Sequence, residues 1–176
     1  MEEVLVLTRR PDVDARTLDP RALRSALGHF ATGVAVVTAQ AGDRVLAITI
    51  NSFSSVSLSP PLVLFSVADT SPSLPPLLAA DRFAISVLNA GQTDLSGRFA
   101  GPRGAKWEGI EPALRPGGCP AVGPCHAVFE CQHYADYDGG DHRIVVARIV
   151  AFETDPDSAP LIFHRGGYHE LNASQD

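Results

Sequence analysis

Between residues 23 and 30 the apolar side chains Leu23, Ala26, Leu27 and Phe30 recur at i, i+3, i+4 and i+7, the spacing of one helix face. Asp19 is placed to cap the first turn and Pro20 to begin it, so the pattern predicts a helix from residue 20 that packs one face on the core. Gly33 then releases the chain into VAVVTAQ (34–40), AGDR (41–44) turns it, and VLAITIN (45–51) brings it back as an antiparallel hairpin. Directly after this hairpin the residues of 47–67, AITINSFSSVSLSPPLVLFSV, set a hydroxyl-rich loop between two apolar strands. Pro60 and Pro61 end that loop and launch LVLFSVA (62–68), whose near-continuous apolar run predicts a strand buried on both faces.

The second half reads as further short elements. DTSPS (69–73) is a polar turn, SLPPLLAA (73–80) a short helix capped by Ser73, FAISVLN (83–89) a strand and QTDLSGRF (92–99) a short helix. Residues 100–125 are rich in Gly and Pro and read as irregular. AVFECQHYADY (127–137) and HRIVVARIVAFETD (142–155) flank DGGD, which predicts a long hairpin with Asp141 and His142 at its tip. PLIFHRGGYHEL (160–171) supplies a last short strand and a polar end. Six or seven strands with brief helices indicate a mainly β, antiparallel barrel rather than a doubly wound parallel sheet.

Composition narrows the picture. The 176 residues suit a single core, and 45% hydrophobic against 19% charged residues is a globular balance. A net charge of −6 with one lysine, Lys106, gives no basic footprint for nucleic acid or an anionic membrane. The acidic start MEEVLVLTRR has neither the basic nor the apolar segment of an export signal, and no window is long enough to span a membrane, so a cytoplasmic location is expected. Cys119, Cys125 and Cys131 are an odd set whose spacing matches no common zinc ligand pair, and Cys131 falls on an alternating strand pattern that accommodates a buried free thiol; no metal site is expected.

Hydroxyls of Thr49, Ser52, Ser54, Ser55, Ser57 and Ser59, the Asn51 amide and nearby backbone N–H groups offer neutral contacts of the kind that orient a polar ligand or cradle a phosphate; a solvated loop has the same composition. No GxGxxG opens a helix after a strand, no phosphate loop of the Walker type is present, and no GxSxG elbow suggests a nucleophilic serine.

Taken in order, FATGVAVVT (30–38), TINSFSSVSLSPPLV (49–63), FAISVLN (83–89), LSGRFAG (95–101), GDHRIVVARI (140–149) and PLIFHRGGYHEL (160–171) resemble the flavin reductase family, with its Greek-key-like FMN-binding split barrel. The resemblance implies a split-barrel domain over residues 20–171, an N-terminal extension over 1–19 and a short tail over 172–176. It implies NAD(P)H-dependent reduction of FMN or FAD, a homodimer, and delivery of reduced flavin to a partner monooxygenase. The same fold admits a flavoprotein that retains FMN and acts on an organic substrate, or a non-catalytic flavin-binding redox module.

By the same resemblance Thr49, Asn51 and Ser52, with the backbone of Ser55, Val56 and Ser57, line the flavin ring and ribityl chain. Ser66, Ala68 and Ser71 form a wall near the phosphate, and Arg98, with Phe99 and Ala100, is the phosphate-proximal element; the other reading of Arg98 is a solvated helix arginine. His142 is the residue expected to place NAD(P)H over the ring, unless it is only a solvated turn histidine. His164, Arg165 and Tyr168 are implied as aromatic and cationic contacts to the cofactor, or as satisfied interface residues. Bulky Ile50 replaces a small family residue and is expected to alter how the ring or a second substrate fits.

Overall fold

The computed structural model describes residues 18–101 and 106–171. In chain order its elements are α1 (Pro20–Leu27), β1 (Thr32–Gly33), β2 (Ala35–Ala41), β3 (Arg44–Ile50), β4 (Ser54–Leu58), β5 (Pro61–Ala68), α2 (Leu74–Leu78), β6 (Arg82–Val87) and α3 (Thr93–Ala100). There follow β7 (Ala113–Leu114), β8 (Pro120–Ala121), β9 (Ala127–Asp138), β10 (His142–Thr154), β11 (Ile162–His164) and β12 (Gly167–His169). Seven strands form the main antiparallel sheet in the order β3-β2-β6-β9-β10-β5-β4, which fulfils the expectation of a mainly β, antiparallel fold with a few short helices. Most of the expected N-terminal extension and all of the expected tail lie outside the described residues.

Strand alternation divides the apolar residues into two cores. On β2, Val37 packs with Phe65, Phe83, Ile85 and Val145 inside the curled sheet, while neighbouring Val36 packs with Ala84, Leu88, Phe99 and Leu161 on the opposite side. Phe65 and Phe83 meet edge to face at 5.7 Å, and each is wholly buried, so each contributes roughly 2 kcal/mol of transfer free energy. Cys131 lies in the first core and Cys119 and Cys125 in the second; all three are free and buried.

Several local readings change. Asp19 caps α1 as expected, its carboxylate accepting from the Arg21 and Ala22 N–H groups at 3.1 and 3.4 Å. The helix nevertheless buries none of its residues: Leu23 is 44% and Leu27 67% exposed, and Phe30, which falls beyond the helix end, is 79% exposed. Periodicity records that one face is apolar, not what covers it. Part of the expected loop after Ile50 is instead strand β4, because β5 offers it a ladder. β5 alternates between buried and half-buried positions rather than being buried on both faces. Ser73 precedes α2, but its side chain makes no capping bond. The C-terminal segment forms two strands, not one, turning through Arg165 and Gly166 with φ of 51° and 82°.

Candidate functional site

The neutral residues singled out in the sequence gather where β3, β4, β5 and β10 end. β4 is an edge strand, and the register with β5 slips between Ser55 and Ser57, so Val56 has no partner across the ladder. A bulge of this kind turns main-chain groups away from the sheet and toward whatever lies beside it. Ser52 continues the same register: where a further strand residue would face Ser66, the Ser52 hydroxyl accepts from the Ser66 N–H at 2.9 Å and donates to its carbonyl at 3.2 Å. One side chain thus closes the ladder, while exposed Asn51 marks where the chain leaves it.

Thr49 is committed in the same way. Its hydroxyl donates to the Ser96 carbonyl at 2.8 Å, and the buried Ser96 hydroxyl bonds the Tyr168 hydroxyl at 2.9 Å. β3, α3 and the C-terminal hairpin are therefore linked through three polar side chains. Alternation sends the next residue, Ile50, the other way: it is 6% exposed and packs in the inner core. Ile50 does not stand in the proposed cradle, which corrects the expectation that its bulk alters the fit there.

His142 begins β10 and pairs with Ala68, the last residue of β5. Its Nδ1 lies 2.6 Å from the Asp141 carboxylate, and that hydrogen bond holds the Asp141 carboxyl below its ordinary range. The Asp69 N–H donates to the Asp141 carbonyl at 3.0 Å, which extends the β5–β10 ladder to the hairpin tip. Ser71 follows in the adjoining turn, where its hydroxyl accepts from the Ser73 N–H at 3.3 Å.

Residues from α3 and the C-terminal hairpin divide. Arg98 is exposed, donates to the Glu108 carbonyl at 2.6 Å, and lines a cleft with Asp94 and Glu111 that contains none of the other expected site residues. Phe99 is wholly buried against Trp107 at 4.9 Å, and Ala100 is exposed at the helix end. His164 lies edge to face with His29 at 6.3 Å and His169 at 5.8 Å. Arg165 donates its N–H to the Gly28 carbonyl at 2.8 Å, tying the hairpin to the end of α1.

Two residues near the site escaped the sequence reading. Ser96 sits inside the LSGRFA motif, where its only signal was a small polar residue between apolar Leu95 and Phe99. In the sequence Lys106 stands out only as a charge, yet its ammonium donates to the Phe99 and Ala47 carbonyls at 2.9 and 3.3 Å, and burial lowers its pKa. Beside it the Trp107 Nε1–H donates to the Val45 carbonyl at 2.8 Å.

The donor set suits a flavin. Its ring presents carbonyl and nitrogen acceptors, for which a bulged edge strand supplies main-chain N–H groups without a formal charge. No group of three or more His, Cys, Asp or Glu residues able to hold a metal ion occurs among the described residues.

Residues 27–172 match the model of the flavin reductase like domain. The chain is 41% identical over 148 residues to an NADH-dependent FMN reductase of Agrobacterium fabrum, covering 84% of each. It is 43% identical over 155 residues, 88% of its length, to a Rhizobium meliloti protein named as a probable flavin reductase, but spans only 50% of that relative. The solved structure of an NADH:FAD oxidoreductase from Streptomyces globisporus, in complex with NAD and FAD fragments, superposes with a TM-score of 0.86 at 34% identity, over 95% of this chain and all of that one.

Proposed function

Since the chain belongs to the flavin reductase-like family, we propose that it is a cytoplasmic NAD(P)H:flavin oxidoreductase that reduces FMN or FAD and releases it to a partner monooxygenase. The observation that carries this reading is the junction of the bulged β4 edge, the Ser52–Ser66 closure and the Ala68–His142 pair at one end of the sheet. In the proposed site, main-chain groups of Ser55 to Ser57 with Asn51 hold the ring. Thr49 and Ser52 fix the backbone that carries these contacts, and Ser66, Ala68 and Ser71 flank them. His142 orients the nicotinamide, and His164, Arg165 and Tyr168 close the far side.

Bound flavin accepts a hydride from the nicotinamide and so supplies the redox chemistry. The protein then has to stack the two rings, exclude water and hold the polar ends, none of which needs a side-chain nucleophile. Neutral donors fit release as well as binding, because a ring held without a full opposing charge is not clamped as it becomes electron-rich.

The test is NADH and NADPH oxidation, followed at 340 nm, with free FMN and free FAD added in turn. Turnover that rises with added flavin by a colourless protein supports the reading; tight flavin binding without turnover from either nicotinamide refutes it. We also propose a homodimer, in which a second copy covers exposed apolar residues such as Leu27 and Phe30. Sedimentation equilibrium at the mass of one chain refutes that part alone.

A further inference from the structure

His142 stands at the start of β10 beside a hairpin tip built on Gly139 and Gly140, the latter with a φ of 87°, and its half-exposed ring bonds only Asp141. The next residue, Arg143, turns the opposite way. It pairs with buried Val67 on β5 and shares a strand face with Val145 and Ala147, both wholly buried in the first core, so its side chain leaves on the inner side of the curled sheet. There its Nη1 donates to the Asp136 carboxylate of β9 at 3.3 Å.

A bulge in β9 builds the rest of this cluster. Asp138, Tyr137, Asp136 and Ala135 face Arg143, Ile144, Val145 and Val146 in turn, but Ala147 faces His133, so Tyr134 has no partner across the ladder. In an unbroken strand, residues three apart point to opposite faces. The extra residue instead brings His133 and Asp136 to the same inner face, where His133 Nε2 stands 3.5 Å from the second Asp136 oxygen. Displaced Tyr134 lies under the Arg148 guanidinium at 5.3 Å. The cluster is costly: Arg143 Nε and His133 Nε2 are buried with no hydrogen-bond partner among the described residues. Apolar side chains of the same volume would stabilise this position as well or better, so what the ion pair supplies is geometry. That geometry is the line of β10 at the residue after His142.

We infer that Asp136 and Arg143 are positioning residues that hold the start of β10 from inside the sheet and so set where the His142 imidazole meets the nicotinamide. The inference rests on the proposed flavin-reductase reading. The two residues act through the backbone of β10, on the face opposite to His142, and not by touching the dinucleotide. Without their tie, β9 and β10 are joined near the tip by main-chain bonds such as that from the Gly139 N–H to the His142 carbonyl at 2.9 Å. A hairpin end held in that way opens locally at little cost.

Arg143→Met keeps the length of the side chain and removes its charge, and Asp136→Asn, a milder change that carries the test if the first variant does not fold, removes the charge of its partner. Each should raise KM for NADH or NADPH about three- to tenfold, the loss of one contact to the dinucleotide, with kcat and the Kd for FMN within about twofold. Arg143→Lys should recover part of the loss, and Arg148→Gln, which removes a charge from the outer face of the same strand, should change nothing. The deciding measurement is the double variant: in a His142→Ala background, Arg143→Met or Asp136→Asn should raise KM no further. Additive effects, or an unchanged KM in both single variants, overturn the inference. A readout free of turnover is the imidazole carbon–proton NMR signal of His142, identified by its loss in His142→Ala. It should shift in Asp136→Asn and Arg143→Met and stay in place in Arg148→Gln. If that signal shifts in a protein that oxidises neither NADH nor NADPH, the tie to His142 stands and the reductase reading fails. Wild-type turnover with an unmoved signal and additive KM effects gives the reverse result.

Discussion

Replacing Ser52 by alanine tests whether its hydroxyl builds the site or binds the ligand. The hydroxyl accepts from Ser66 N–H at 2.9 Å and donates to Ser66 C=O at 3.2 Å, on the side of β5 away from β10 and at a point where β4 has ended. Removing it deletes two bonds and leaves an N–H and a carbonyl of a half-buried strand without partners. A net hydrogen bond is worth about 1 kcal/mol and an orphaned buried group about 1–3 kcal/mol, but water reaches a half-buried site, so the expected cost is about 1–2 kcal/mol. For a domain of this size that lowers Tm by roughly 2–8 °C. The same change loosens the segment from Asn51 to Ser57 and should weaken FMN binding by about three- to tenfold through the lost rigidity. Ser54→Ala is the control, since the Ser54 hydroxyl is exposed and bonds only its neighbour's carbonyl at 3.2 Å. Calorimetry and fluorescence titration of both variants decide the matter. Weaker FMN binding by Ser52→Ala with an unchanged Tm would show that the hydroxyl touches the flavin directly and that the closure argument is wrong.

His142→Ala should raise KM for NADH or NADPH more than it weakens flavin binding; equal loss of both would place the residue elsewhere. Arg98→Ala should leave KM for FMN within about twofold, because the side chain lies in a separate cleft on the Glu108 carbonyl, and a tenfold rise in the steady-state assay would contradict that placement. Gly117→Ala should destabilise the fold by about 1–3 kcal/mol, since a Cβ there overlaps the buried Glu130 carboxylate that accepts from the Gly117 N–H at 2.9 Å; unchanged urea unfolding would show that this loop yields freely. Burial pushes the Cys131 thiol from 9.0 up to about 12, so between those values the native state keeps a proton that the unfolded chain has lost. Stability conferred by that proton is intact below about pH 9 and declines as pH rises toward 12, and Cys131→Ala should flatten the slope of Tm against pH in that window. Identical slopes in the two proteins would mean that other groups set the alkaline limit.

The parts of the fold that were legible in the sequence carry their determinants locally. Asp19 and Pro20 mark the start of α1, Gly42 with a φ of 60° turns the β2–β3 hairpin, and the DGGD tip joins β9 to β10. What covers the apolar side of α1 and why a serine-rich run becomes strand β4 depend on neighbours distant in the chain, and neither periodicity nor composition encodes those. The site divides in the same way. Ser52, Ser66 and His142 stand out by motif, and the register of β5 against β4 and β10 does bring them to one end of the sheet. Lys106 and Ser96 were hidden because their importance lies in direction: one aims its ammonium at carbonyls of β3 and α3, the other its hydroxyl at Tyr168. Ile50 shows the converse, since a period of two assigns it to the interior as soon as Thr49 is known to face α3.

The unequal edges of the main sheet bear on how this protein behaves when crowded or partly unfolded. Open strand edges are templates on which other chains add, and they are common starting points for aggregation. On β3 two of the outward carbonyls are occupied by the Lys106 ammonium and the Trp107 indole, so an incoming strand finds that edge capped. On β4 the bulge at Val56 spoils the register instead, and Pro60 and Pro61 follow within a few residues. The two edges are thus guarded by different means, one by side chains from a distant segment and the other by the irregular backbone of the strand itself. Loss of the 106–107 contacts exposes β3 at once, whereas β4 keeps its protection for as long as the strand itself is formed.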